Sequence, residues 1–132
     1  MKVKGRMISK GIASGPALMT SQPISFLGGV DPSTGQIVEH GHELEGISIK
    51  DKVLIFPHGK GSTVGSYVMY QLKKNGVAPC AIINLRCEAI IAIGAIISDI
   101  PAVDQLEINP FEIIHNGDII LVNGADGYIE VE

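Results

Sequence analysis

Lys52-Val53-Leu54-Ile55-Phe56-Pro57-His58-Gly59-Lys60-Gly61-Ser62-Thr63 is the stretch from which the fold is read. Lys52 to Phe56 is a short apolar run closed by a proline, the pattern of a strand buried on both faces. Downstream, Val64, Tyr67, Val68 and Leu72 fall at i, i+3, i+4 and i+8. That spacing predicts an amphipathic helix, and Asn75-Gly76 ends it, since glycine readily takes the left-handed conformation after a last turn. Ser62 stands where an N-cap is expected. Ala81-Ile82-Ile83-Asn84-Leu85 gives another buried strand; in the run from Glu88 to Ile97 periodicity does not separate helix from strand, and the spacing from the preceding strand favours a second short helix. Strand, helix, strand and helix in succession imply a central β-α-β segment.

The flanks add strands. Lys2 to Ser9 partly alternates, and Ala17-Leu18-Met19 follows the turn signal Ala13-Ser14-Gly15-Pro16. Residues 111–131 hold Asn116-Gly117 and Asn123-Gly124 between apolar runs, a strong hairpin signal. The 21 isoleucines and 10 valines against 8 leucines favour sheet, because β-branched side chains suit a pleated surface. The expected fold is α/β: a three-layer β/β/α arrangement whose terminal strands close a small barrel-like β-sheet. With 132 residues, 1–132 is expected to be a single domain. The segment from Phe26 to Gly46 is rich in glycine, acid and histidine and reads as loop with one short strand; so long an irregular stretch suggests function.

Composition removes whole classes. Apolar residues make up 45% and charged ones 18%, so the chain has enough apolar surface to fold. A net charge of −4 with scattered basic residues gives no cationic face for nucleic acid. The basic start lacks an apolar core behind it, and the longest apolar run, Ala89 to Ile97, is far short of the ~20 residues that span a bilayer. A cytoplasmic protein with no membrane and no nucleic-acid partner is expected. Cys80 and Cys87 lack the paired spacing of metal sites and are expected to be buried thiols; His40, His42 and His58 show no helical metal-ligand spacing, so no metal is expected in this chain.

The chemistry concentrates in Pro57 to Thr63. A glycine-flanked lysine between a strand and a helix start presents free amides at the positive end of a helix dipole, suited to phosphate or carboxylate. The Walker order is absent, so nucleotide is not implied. The bland alternative is that the glycines only turn and Ser62 only caps. A serine in this position can also serve as a base if donors and Lys60 stabilise its alkoxide, but it needs a polarising partner that the chain lacks, which points to a shared active site.

Gly29-Val30-Asp31-Pro32-Ser33-Thr34-Gly35-Gln36-Ile37, His42-Glu43-Leu44-Glu45-Gly46, Pro57 to Thr63, Ala78-Pro79-Cys80-Ala81-Ile82-Ile83 and Gly94-Ala95-Ile96 together resemble the small subunit of the aconitase X type dehydratases. The resemblance covers nearly the whole chain. It implies an aconitase-like swivelling β/β/α domain that works with a large dehydratase subunit, in which an iron–sulfur cluster is expected. The implied reaction is dehydration of a phosphorylated small molecule, (R)-5-phosphomevalonate, to trans-anhydromevalonate 5-phosphate in an archaeal mevalonate route to isoprenoids. Carried over residue by residue, the resemblance makes Ser62 the catalytic base and puts Lys60, Gly61 and Thr63 in the substrate-binding loop, with Asp31 to Gly35 as a second segment lining the site. Many members carry arginine and a second serine where this chain has Lys60 and Thr63. Hydroxyproline dehydratases of the same family, a swivelling phosphohistidine carrier and a plain binding module are the alternatives.

Overall fold

The computed structural model describes the chain from Met1 to Glu132. Its elements are β1 (Lys2–Lys4), β2 (Arg6–Ser9), β3 (Ile12–Met19), α1 (Phe26–Gly29), β4 (Val53–Phe56), α2 (Gly65–Lys74), β5 (Ala81–Asn84), α3 (Ala89–Ile97), β6 (Ala102–Asp104), α4 (Pro110–Ile113), β7 (Ile119–Asn123) and β8 (Tyr128–Val131). The strands lie in the order β1-β8-β7-β3-β4-β5-β6-β2. Since β1 and β2 occupy the two ends of that order yet are joined by Gly5 alone, the sheet curls into a barrel-like closure. The expected three-layer β/β/α architecture is the one observed.

β3 is the other corner. Its first half pairs antiparallel with β7, Ile12 to Pro16 opposite Asn123 to Ile119, and its second half pairs parallel with β4, Ala17 to Met19 opposite Val53 to Ile55. The expected turn at Ala13 to Pro16 is therefore strand. Pro16 sits where β3 changes partners, so its missing N–H costs little. Gly15 is needed for close approach: a Cβ there would lie 2.9 Å from both the Asp51 carbonyl and Cys80 Sγ.

Two cores follow from this curl. Val3, Ala17, Val53, Ile55, Ala81, Ile83, Val103, Ile120, Val122 and Ile129 point from seven of the eight strands into the barrel interior. On the outer face, Leu18, Leu54, Phe56 and Ile82 pack under Val68, Met69 and Leu72 of α2 and Ile91 and Ala95 of α3. This explains why β4 and β5 are buried at every position, with no alternation. The Phe26–Gly46 segment is not a loose loop: Phe26, Val30, Ile37 and Leu44 belong to the helical-side core.

Candidate active site

The loop 58–63 leaves the C-terminal end of β4 and is held on both sides. On one side Ile24 runs beside it as a parallel bridge, donating its N–H to the His58 carbonyl (3.3 Å) and accepting from the Lys60 N–H (3.1 Å). On the other side lies the start of α3: a Cβ on Gly59 would come within 2.7 Å of Ile91, and His58 Nδ1 stands 3.5 Å from Glu88 Oε1. His58 Nδ1 also lies 2.7 Å from the Gly59 carbonyl, an acceptor, which puts the ring proton on Nδ1. Gly61 has φ +94°, and a Cβ there would meet Ser25 Oγ at 2.6 Å, so only glycine fits.

Gly61, Ser62 and Thr63 are exposed, and their three amides donate to no acceptor within the chain. Ser62 Oγ accepts from the Val64 N–H at 3.1 Å, while its own proton has no acceptor in the chain. Ser62 is thus not the N-cap expected from the sequence. The helix begins at Gly65, its cap residue is Val64, and Ser62 forms a tight turn just ahead of it. The serine is freed from capping, and its oxygen still faces an amide at the positive end of α2. Thr63 offers its carbonyl to Ser66 Oγ at 3.2 Å and keeps its side chain free of hydrogen bonds within the chain.

Lys60 is committed. Its Nζ pairs with Glu39 Oε2 at 3.0 Å, a partner 21 residues away that no spacing rule pointed to. The only sequence signal for Glu39 is its place in the acidic, histidine-rich segment. The structure does not bring Asp31–Gly35 to this loop. Asn75, after the far end of α2, donates through Nδ2 to the Pro32 carbonyl (2.8 Å), and Gly35 packs on Val77, about 15 Å down the helix from Ser62. The histidines also separate. His42 is buried, with Nε2 3.2 Å from the Pro23 carbonyl and Nδ1 accepting from the Leu44 N–H (3.0 Å), so both ring nitrogens serve the local backbone. His40 is fully exposed beside Glu45.

Residues 2–131 match the family model of the aconitase X swivel domain. The chain belongs to that family. Among aconitase X swivel relatives, the phosphomevalonate dehydratase small subunit of Methanosarcina acetivorans is 65% identical over 131 residues, covering 99% of this chain and 91% of that protein. Its counterpart from Methanocella arvoryzae is 60% identical and covered to 99% on both sides. A crystal structure of Thermococcus kodakaraensis aconitase X in its holo-form has a chain 48% identical to this one, superposing with a TM-score of 0.94 over 100% of this chain and 98% of that one.

An iron–sulfur cluster does not fit the thiols of this aconitase X swivel chain. Cys80 and Cys87 flank opposite ends of β5, and no group of three or more His, Cys, Asp or Glu side chains is placed to hold a metal ion. Burial pushes both thiols up, Cys87 to about 12 with the neighbouring Asp104 carboxylate adding to it, whereas a ligating cysteine must be a thiolate.

Proposed function

We propose that this chain is the small subunit of a heteromeric hydro-lyase that dehydrates (R)-5-phosphomevalonate to trans-anhydromevalonate 5-phosphate. Residues 1–132 act as one swivelling domain, and a large subunit that carries the iron–sulfur cluster completes the site. The names of the relatives at 65% and 60% identity support the substrate and the pairing of subunits.

The single observation that carries the reading is the state of Ser62: exposed, with its oxygen receiving the Val64 N–H and its proton free. In the reaction a C–H bond beside the substrate carboxylate breaks, its electron pair forms the new double bond, and the hydroxyl on the next carbon leaves. Ser62 Oγ takes that proton. A serine hydroxyl ionises far above neutral pH, so its alkoxide must be stabilised, and the Val64 N–H together with the α2 dipole supply that stabilisation. Lys60 and the free amides of Gly61, Ser62 and Thr63 hold an anionic group of the substrate. Departure of the hydroxyl is left to groups outside this chain.

The test is Ser62→Ala in the assembled two-subunit complex. kcat is expected to fall by about 10²–10⁴, the usual worth of general base catalysis, while thermal stability changes little because the Val64 N–H can turn to water. A complex that assembles normally and turns over within about threefold of wild type would reduce Ser62 to a turn residue.

A further inference from the structure

We infer that Glu39 is a built-in counter-ion of Lys60, a carboxylate that the anionic group of the substrate must displace, so that Glu39 sets how tightly the site binds. The inference rests on the reading of residues 60–63 as a substrate-binding loop.

Four observations converge on it. Lys60 is the one lysine of the chain in an ion pair, at 3.0 Å from Glu39 Oε2. The pair spans two segments that the fold brings together independently: Lys60 is tied to Ile24, and Glu39 is tied to Gly29, whose carbonyl accepts its N–H at 3.3 Å. Gly29 backs directly on the carboxylate, since a Cβ there would lie 3.5 Å from Glu39 Oε1. Finally, the pair stands in an open cleft of about 360 Å³ lined also by Ser25, Gly28 and Gly61, and Lys60 also lines the narrow crevice beside Ser62.

The electrostatics decide what the pair does. With side chains 45% and 29% exposed, Lys60 and Glu39 are only partly withdrawn from water, and such pairs hold weakly. As long as they are joined, the loop carries no net charge to attract an anion. An incoming phosphate or carboxylate replaces one anion at Lys60 with another, and it gains the free amides of Gly61, Ser62 and Thr63, from which Glu39 receives no hydrogen bond. The exchange therefore runs toward substrate, less the cost of parting Glu39 from Lys60. Glu39 acts through Lys60 and is a positioning residue.

The experiment is a double-mutant cycle on the assembled complex with 5-phosphomevalonate. Glu39→Gln keeps the shape and removes the competing charge, so KM is expected to fall by about three- to tenfold, with the change in KM rather than kcat and shrinking as salt is raised. Lys60→Met is expected to raise KM, and adding Glu39→Gln to Lys60→Met is expected to change nothing further. Inorganic phosphate as a competitive inhibitor gives a second readout, its Ki falling in Glu39→Gln in parallel with KM. If Glu39→Gln leaves KM unchanged or raises it, or shifts it equally in the Lys60→Met background, the counter-ion role is overturned. If Lys60→Met itself leaves KM unchanged, the reading of the loop as a substrate site falls and the inference falls with it.

Discussion

Glu43 shows how one side chain fixes a loop to the sheet. Its carboxylate accepts from the Thr20 hydroxyl and from the Ser21 N–H (2.9 Å), and these bonds hold its pKa below the ordinary value, the Thr20 bond most of all. A depressed carboxyl contributes stability that is present above its unfolded pKa, ~4.3, and lost as pH falls through the lower folded value. Glu43→Gln is therefore expected to lower the melting temperature at neutral pH, with the gap from wild type closing below about pH 4, as thermal unfolding across pH would show. At this scale the sequence was partly legible. Ser62 could be picked out because a glycine-lysine-glycine turn between a strand and a helix has few other uses, but its partner amide and the true helix start could not. Glu39 and Ser25 carry no motif of their own, and their roles come from where distant backbone runs.

At the scale of elements, the last hairpin separates two jobs of glycine. Asn123-Gly124 reads as a tight two-residue turn, yet β7 and β8 are joined by the four residues Gly124 to Gly127, closed by the Asp126 N–H on Asn123 Oδ1 (2.9 Å), and the positive φ falls on Gly127. Gly124 is required for another reason: a Cβ there would sit 1.8 Å from the Ser9 carbonyl oxygen. Gly117, by contrast, has φ +90° and open space around it. Gly124→Ala is thus expected to cost more than ~2 kcal/mol or prevent folding, because backbone must move. Gly117→Ala is expected to cost only about 1 kcal/mol. Urea unfolding of the two variants checks the order. The apolar run at 111–114 likewise gives a one-turn helix, α4, capped by Asn109 Oδ1 on the Phe111 N–H (2.9 Å), where the hairpin signal suggested a strand. α2 was legible because its apolar spacing and Gly76, at φ +72°, are local properties, whereas the unbroken apolar run of α3 has no period and only its distance from β5 favoured a helix.

For the whole molecule, the prediction concerns the face on which the loop 58–63 opens. Exposed apolar side chains surround it, with Leu27, Val38 and Val64 each 45–47% exposed and Tyr67 at 69%. Apolar side chains left open around polar, unsatisfied amides suit a face that another chain covers. Hydrogen exchange at residues 26–29, 38–40 and 58–66 is expected to slow several-fold when the large subunit is added, and exchange in β7 and β8 is expected to stay as it was. Equal rates with and without the large subunit would remove the shared site. The isolated chain is expected to fold and to show no dehydration of 5-phosphomevalonate.

The sequence by itself determined the succession β4-α2-β5-α3, the glycine-rich turn ahead of α2 and the class of layered fold, because strand burial, helical spacing and turn chemistry are written in neighbouring residues. Tertiary structure alone decided three things. β1 and β2 part at Gly5 to close both ends of the sheet, β3 runs through its apparent turn to pair with both β7 and β4, and Lys60 meets Glu39. Each depends on residues far apart in the chain, and the curl of the sheet, which local propensity does not encode, sets their distance.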